Sequence, residues 1–235
     1  MPTELMIRRL RVNSTVSEDD ASALRALPSV IKNLPAGSSI IREGDRPTQC
    51  VVVQTGFVFR AKTTISGKRQ ILSFHPAGDM PDLHGLLLER MDHDLATLSD
   101  AQVGFIEHRH INKLIEERPS LARALWKETL VDAAIFRAWI VNLGSRSAVA
   151  RLANLIAEIR QRLEDVGLPA DRDLGFPVTQ SDLADALGIT DIHMNRILQT
   201  FRTTGILDVK RKQVTLRDLE KLLEIGGFDD RYLHP

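Results

Sequence analysis

The spacing of apolar residues divides the chain into a strand-rich part and a helical part. Over residues 40–106, short runs of β-branched and aromatic residues alternate with turn signals, as at residues 50–53, at residues 56–59 and around Ser66-Gly67. Short strands separated by frequent turns predict an antiparallel sandwich or barrel. Residues 17–27, ahead of them, carry a helical pattern with Ser17 placed to cap its N-terminus.

A long helix is predicted over residues 119–144. Pro119 suits the first position of a helix, and Gly144 suits its end. Apolar side chains lie on several sides of this helix, so it must be covered on more than one side. We expect one cover to be the strand-rich domain and the other to be the same helix of a second chain; the alternative is the central helix of a monomeric domain. The predicted dimer interface comprises Leu121, Leu125, Asp132, Ile135 and Trp139.

Residues 145–235 show the pattern of a compact helical domain. Helices are predicted over residues 148–163, 179–187, 191–203 and 217–225. Apolar runs at residues 206–209 and 214–216 enclose Lys210-Arg211-Lys212, which predicts a two-stranded hairpin with a basic tip.

The segment 179–201 has the residue pattern of a helix-turn-helix. Thr179 can cap the first helix with Asp182 as its reciprocal partner, and Gly188 tolerates the left-handed backbone that the turn requires. Thr190 can cap the second helix. The inner face of that helix is predicted to be Met194, Ile197, Leu198 and Phe201. Joined to the basic-tipped hairpin, this pattern predicts a winged helix-turn-helix that places its second helix in the major groove of DNA.

The composition is compatible with a DNA-binding protein, and a local excess of basic residues accompanies a net charge of zero. Charged residues make up 26% of the chain and hydrophobic ones 43%, which is ordinary for a globular protein. The 31 basic and 31 acidic residues cancel, yet residues 192–212 hold five basic side chains against one acid, Asp208. We therefore expect weak non-specific DNA binding and a salt dependence set by a few phosphate contacts.

Several function classes are excluded by what the sequence lacks. The longest uncharged run, residues 47–59, is too short to span a bilayer, and residues 1–11 have no apolar core of a signal peptide. Cys50 is the single cysteine, so no disulfide framework or four-cysteine iron–sulfur cluster can form. We expect a cytoplasmic protein with no membrane association.

The order of strand-rich domain, long helix and winged helix-turn-helix resembles the Crp/Fnr family of bacterial transcription regulators over essentially the whole chain. The turns at Glu43-Gly44-Asp45, Gly67-Lys68-Arg69-Gln70 and Pro76-Ala77-Gly78-Asp79 are similar to those of the family's cyclic-nucleotide-binding β-roll. Residues 143–148 resemble its hinge, and Met91-Asp92-His93 is among the stretches that resemble an alphaproteobacterial branch.

The resemblance implies a fold class, a domain order and partners. The fold is α+β: a β-roll (jelly roll) with an N-terminal helix over residues 1–118, a dimerisation helix over 119–144, and a winged helix-turn-helix over 145–235. The partners are a second copy of the chain, double-stranded DNA with a near-palindromic operator, and RNA polymerase. An effector in the β-roll would change how the two long helices pack and so re-aim the recognition helices, which is a population shift.

The resemblance also assigns DNA contacts. Arg196 matches a family arginine that contacts a base or phosphate, and Thr179 and Gln180 match positions that anchor the preceding helix to the DNA backbone. His193 and Asn195 flank Arg196 on the exposed face and can hydrogen-bond to base edges. The predicted DNA-binding residues are Thr179, Gln180, His193, Asn195, Arg196, Lys210, Arg211 and Lys212.

The expected effector pocket departs from that of the cyclic-nucleotide binders. The family's Gly-Glu pair falls on Asp82 and Leu83, and the phosphate-binding arginine aligns near Met91, one residue from Arg90. These departures favour an effector other than a cyclic nucleotide; a cyclic-nucleotide-responsive regulator with a divergent pocket is the alternative. The residues assigned to the pocket are Gly78, Asp79, Asp82, Leu83 and Arg90.

Other polar groups offer weaker alternatives. His75, His84 and Cys50 are potential haem ligands, but no pattern singles one out, so the cofactor is left unassigned. His108 and His110 would share a face if they lay on a strand, yet a third metal ligand is not evident. We therefore predict no metal site, and no catalytic site in the Asp92-His93-Asp94 segment, so the protein is not expected to be an enzyme. Asp132 either faces its own copy across the dimer axis or reaches solvent.

Overall fold

The computed structural model describes residues 3–235, which group into two compact units. The first unit contains the chain up to Lys62 together with Phe74–Ala133 and His234–Pro235, and the second contains Thr63–Ser73 and Ala134–Leu233. The three-part division at residues 118/119 and 144/145 stays a prediction. Met1 and Pro2, which open its first domain, lie outside the described residues.

Seven strands form the β-roll predicted from the sequence. They pair in two sheets, with the order β1-β7-β3 in one and β2-β6-β4-β5 in the other. The strands are β1 (Val30–Leu34), β2 (Ser39–Ile41), β3 (Gln49–Thr55), β4 (Phe57–Thr63), β5 (Arg69–Pro76), β6 (Asp94–Thr97) and β7 (Ala101–Glu107).

Strand β3 lies at the centre of the first unit's core. It pairs antiparallel with β7, with Val51 opposite Phe105, and its residues Cys50, Val52 and Val53 are buried. A continuous apolar run of this kind is typical of a strand covered on both faces. Cys50 and Val52 belong to a cluster with the N-terminal helix, so that helix covers one face.

Three helices pack around the β-roll: α1 (Glu4–Asn13), α2 (Glu18–Arg25) and α3 (His108–Glu117). The predicted cap of α2 is confirmed, because the Ser17 side chain accepts a hydrogen bond from the Asp20 backbone N–H. Neither α1 nor α3 was predicted from the sequence. The strand considered for His108 and His110 is wrong: β7 ends at Glu107 and these residues open α3, where residues two apart do not share a face.

The remainder of the chain carries five helices and one hairpin, and the predicted fold class is confirmed. These elements are α4 (Pro119–Ser145), α5 (Ala148–Asp165), α6 (Gln180–Leu187), α7 (Asp191–Thr203), β8 (Leu207–Lys210), β9 (Gln213–Leu216) and α8 (Leu219–Gly226). Helix α8 approaches α5 closely, because a Cβ on Gly226 would lie 2.8 Å from the backbone nitrogen of Asn154. Within residues 3–235, no helix has the length and apolarity needed to cross a membrane.

Candidate DNA interface and effector region

Helices α6 and α7 are set by local capping signals. Asp182 accepts from the Thr179 backbone N–H while the Thr179 hydroxyl accepts from the Asp182 N–H, which closes a capping box at the start of α6. Gly188 ends α6 in the left-handed region with φ of +65°. Thr190 then caps α7 by accepting from the backbone N–H of His193. The predicted helix-turn-helix signals are all present.

The two helices bury apolar faces and leave a polar face outward. The predicted inner residues of α7 are buried, as are Leu183, Ala184 and Leu187 of α6. His193, Asn195 and Arg196 are exposed on α7. No acidic side chain pairs with the Arg196 guanidinium in the part of the chain that the structure describes. A rigid apolar back with a polar front is what a recognition helix requires.

Gln180 links the starts of the two helices, a contact that the sequence did not reveal. Its Nε2 donates to the backbone oxygen of Asp191 at 2.9 Å, and its Oε1 accepts from Nδ2 of Asn195 at 3.2 Å. Two of the residues predicted to contact DNA therefore hold each other in position.

The hairpin of β8 and β9 forms the predicted wing, with Arg211 and Lys212 at its tip. Lys210 pairs with Gln213 across the strands, so Arg211 and Lys212 form a two-residue turn. Both have positive φ, 49° and 62°, a conformation that favours glycine or asparagine. The chain places two cations there in spite of that strain.

Lys210 is only partly available to a ligand. Its Nζ lies 2.9 Å from Asp208 Oδ2, and Arg202 Nε lies 2.9 Å from Oδ1 of the same carboxylate. Burial opposes ionisation of Asp208, yet hydrogen bonds from Lys210 and Arg202 hold its pKa below the usual value. Because Asp208 compensates the charge of Lys210, most of the wing's uncompensated positive charge lies on Arg211 and Lys212.

The tip of the β4–β5 hairpin, Thr63–Ser73, belongs to the same unit as α6. Arg69 forms ion pairs of 2.7 Å with both Asp182 and Asp185. Gln70 Nε2 donates to the backbone oxygen of Ala186 at 3.1 Å. The sequence marked Arg69 and Gln70 only as part of a turn.

The residues assigned to the effector pocket differ in their burial and in their bonding partners. Asp82 is 1% exposed, and its Oδ1 accepts from the backbone N–H of Val51 at 2.8 Å, while burial raises its pKa to about 7. Leu83 belongs to the apolar core. Arg90 lies on the surface, with Nη1 3.4 Å from the backbone oxygen of Gly44.

Gly78 and Asp79 contribute to the internal packing and hydrogen bonding of the β-roll unit. Gly78 has φ of +103°, and a Cβ there would lie 2.9 Å from the backbone oxygen of Leu5. Asp79 Oδ2 lies 2.8 Å from Nδ1 of His75, and both side chains are buried. Burial, with a contribution from the nearby Arg60, lowers the pKa of His75 to about 4.

Arg60 connects the β-roll to the long helix α4. Its guanidinium donates to Asp132 Oδ2 at 2.7 Å and to the backbone oxygen of Pro81. Arg60 is 2% exposed. Within the chain Asp132 therefore pairs with Arg60, with 28% of its side chain exposed, and its contact with a second copy stays a prediction.

The dimer surface assigned from the sequence needs correction. Leu121 and Leu125 belong to the first unit's core, and Ile135 and Trp139 are also buried within the chain. Trp139 Nε1 donates to Glu158 of α5 at 3.0 Å. Side chains already covered by their own chain cannot be covered by a partner. The exposed apolar residues of α4 are Trp126, Leu130, Ile140 and Val141.

Two family models match the chain, one to each of its regions. The model described as a cyclic nucleotide-binding domain matches residues 31–118, and the model described as a Crp-like helix-turn-helix domain matches residues 150–225. These ranges contain the β-roll and the helices α6 and α7 with the wing.

Known proteins resemble the chain over most of its length. The Anaerobic regulatory protein of Aggregatibacter actinomycetemcomitans is 24% identical over 221 residues, which cover 94% of this chain and 86% of that protein. Transcriptional activator protein FnrL of Cereibacter sphaeroides is 24% identical over 94% of this chain and 90% of its own length.

A solved structure agrees with the sequence relatives. The structure of FixK2 from Bradyrhizobium japonicum aligns with a TM-score of 0.75 and 25% identity, covering 85% of this chain and 98% of that one. The domain order, the winged helix-turn-helix geometry and these matches lead to one conclusion. The chain belongs to the Crp/Fnr family and is a DNA-binding transcription regulator rather than an enzyme.

Proposed function

We propose that the chain acts as a homodimer that reads a near-palindromic DNA site with the exposed face of α7. The observation that carries this proposal is the outward set of His193, Asn195 and Arg196 on a helix whose opposite face is buried. Arginine, asparagine and histidine can each hydrogen-bond to base edges in the major groove.

The remaining predicted contacts fit the DNA backbone better than the bases. Arg211 and Lys212 extend from a turn, where cations meet phosphates without sequence preference. Thr179 and Gln180 lie at the N-terminus of α6, where backbone N–H groups favour an anion. Lys210 contributes less, because Asp208 compensates its charge.

Helix α4 supports pairing with a second copy. Trp126 and Ile140 are two heptads apart, and Leu130 follows Trp126 by one turn, so these exposed side chains recur along one side of the helix. Trp126 is 67% exposed and Ile140 is 70% exposed. The same helix of a second chain would cover this stripe and give the two-fold symmetry that a near-palindromic operator needs.

The β-roll supports an effector that is not a cyclic nucleotide. Asp82 is 1% exposed and its Oδ1 is bonded to the backbone N–H of Val51, so it is poorly placed to hold a ribose. Arg90 lies on the surface, apart from the buried polar side chains. Titration with labelled cyclic AMP or cyclic GMP tests the alternative of a divergent pocket, which saturable binding would establish.

A regulator of this kind works in the cytoplasm and acts on RNA polymerase at the promoter. The single cysteine, Cys50, is buried, and burial with the nearby Asp82 charge raises the pKa of its thiol, so it is not a reactive thiolate. These properties are compatible with a reducing compartment.

Fluorescence anisotropy on a duplex selected from a random library tests the recognition helix. We expect Arg196→Ala to weaken specific binding by roughly 1–3 kcal/mol per half-site. The control is Arg109→Ala, which removes an exposed arginine of the β-roll region. Equal affinity of Arg196→Ala and the unmodified chain would overturn the assignment of α7.

A further inference from the structure

Two histidines and an aspartate meet at the edge of the β-roll. His84 lies in the 3-10 helix Leu83–Leu86, and Asp92 and His93 lie immediately before β6. The two imidazole rings have centroids 5.3 Å apart. One potential ligand atom from each of the three residues lies within 4.8 Å of those of the other two.

The unused nitrogen of each ring is buried and has no partner. Nε2 of His84 and Nε2 of His93 make no hydrogen bond within residues 3–235, although both are shielded from solvent. A buried polar atom without a partner costs free energy unless something binds it. Two such atoms on adjacent rings indicate a missing ligand that accepts nitrogen lone pairs.

Asp92 orients one of these rings. Its Oδ1 lies 2.8 Å from Nδ1 of His93. A carboxylate at Nδ1 keeps the proton on that nitrogen and turns the lone pair of Nε2 outward, which is the arrangement commonly found around histidines that bind metals.

We propose that His84 and His93 bind a divalent transition-metal ion of the zinc type through their Nε2 atoms, with Asp92 holding the ring of His93 in position. Imidazole nitrogens select such ions over Mg²⁺ and Ca²⁺, which prefer oxygen ligands. Metal–nitrogen bonds of about 2.0–2.1 Å in a tetrahedral site place ligand atoms roughly 3.3 Å apart, so small side-chain rotations would close the observed arrangement. Two imidazole ligands leave further positions open for water or a small molecule.

The charges around the two rings are compatible with a cation. The charged groups that face them are Arg60, Asp132 and Asp92. Arg60 disfavours positive charge at both rings more than Asp132 favours it, and the 2.7 Å ion pair between the two partly offsets this effect. Lys62, which is also near Asp92, pairs with Glu43 at 3.0 Å. The charge of Asp92 is therefore left to attract the ion.

Access to the site is through Asp92. Its side chain is 77% exposed, whereas that of His93 is 7% exposed. An ion can first meet the exposed carboxylate and then the two buried nitrogens. No metal site was predicted from the sequence, because His84 is eight positions before Asp92 and only the fold brings these residues together.

Metal titration of the full, tag-free chain at neutral pH tests the proposal. Isothermal titration with Zn²⁺ and absorption spectroscopy with Co²⁺ should show one ion per chain with micromolar or tighter affinity, while Mg²⁺ should not compete. We expect His84→Gln and His93→Gln each to weaken binding at least tenfold. Asp92→Asn should weaken it by roughly tenfold, as loss of an orienting carboxylate does.

His110→Gln is the matched control, because it removes a histidine of α3 outside the site. Circular dichroism establishes that each variant is folded. Asp92→Asn alters an exposed side chain and is expected to fold, so it still tests metal binding if a variant of a buried histidine unfolds. Absence of one-to-one binding to the unmodified chain, or binding that all three site variants retain at full affinity, would overturn the proposal.

Discussion

Asp182 binds two partners at once, one through each carboxylate oxygen. Its Oδ1 lies 2.7 Å from Nη2 of Arg69, and its Oδ2 accepts hydrogen bonds from the backbone N–H and the hydroxyl of Thr179, at 3.1 and 2.5 Å. The residue that caps the first helix of the helix-turn-helix is therefore the same residue that holds the β4–β5 hairpin tip.

Removal of this arginine should loosen the unit that contains α6. Arg69→Ala leaves the partly buried carboxylates of Asp182 and Asp185 unpaired, so we expect the free energy of unfolding to fall by about 1 kcal/mol. Urea unfolding followed by circular dichroism measures it. Lys68→Ala, which removes an exposed neighbour, is the control and should change little. Coincident unfolding curves for the two variants would contradict the importance of the pair.

Substitution of Lys212 at the wing tip should make the fold more stable and the affinity for DNA lower. Lys212→Gly removes the strain of a positive φ and should stabilise the chain by about 1 kcal/mol, while the lost cation weakens DNA binding several-fold. The slope of log affinity against log salt should decrease by about 1 in magnitude.

Lys212→Asn separates the two effects, because asparagine also tolerates this backbone but carries no charge. Both variants should lose DNA affinity equally, as measured by anisotropy at several salt concentrations. A variant that is stabilised yet binds DNA as tightly as the unmodified chain would show that Lys212 does not contact phosphate.

A charge in the exposed stripe of α4 should prevent self-association. Trp126→Glu introduces a carboxylate that would be desolvated against a second chain, so we expect sedimentation of a monomer at micromolar concentration. Ile65→Glu changes an even more exposed apolar residue outside α4 and should leave the dimer intact. A dimer that survives Trp126→Glu would place the interface elsewhere.

The buried His75 should make stability depend on pH. Its pKa is lowered to about 4 in the folded chain, chiefly by burial, whereas in the unfolded chain it has its ordinary value of 6.5. Between these values the unfolded chain binds more protons, so this contribution is complete above pH 6.5 and declines as the pH falls towards 4.

His75→Asn retains a donor towards Asp79 but cannot titrate. The free energy of unfolding of the unmodified chain should therefore fall relative to the variant by about 3 kcal/mol from pH 6.5 to pH 4. Urea unfolding at a series of pH values measures the difference. A constant difference over this range would mean that His75 is not kept neutral by the fold.

Local signals made the helix-turn-helix predictable. Thr179, Asp182, Gly188 and Thr190 act within a few positions of one another, so their spacing alone indicates a cap, a turn and a second cap. The wing followed from two short apolar runs around a basic tip. The long helix was found within one residue of its end, Ser145, because a proline and a glycine mark its limits.

Contacts between distant positions were not predictable in this way. Arg60 and Asp132 are separated by 72 positions, and Arg69 and Asp182 by 113, so no sequence spacing indicates either pair. The apolar residues of α4 could be identified, but which of them the chain covers depends on α1, which the sequence analysis did not find, and on α5. Four of the five residues assigned to the dimer, Leu121, Leu125, Ile135 and Trp139, are therefore buried within the chain.

The two tryptophans of the chain are placed to report on different events by their fluorescence. Trp126 is exposed and should emit at long wavelength until a second chain covers it, whereas Trp139 is buried with its indole N–H on the Glu158 carboxylate. A blue shift on raising the protein concentration would then come from Trp126. A change in the intensity of Trp139 emission at fixed protein concentration would come from the packing of α4 on α5. A variant that keeps only Trp126 therefore gives a label-free signal for assembly, and a variant that keeps only Trp139 gives one for the response to an effector.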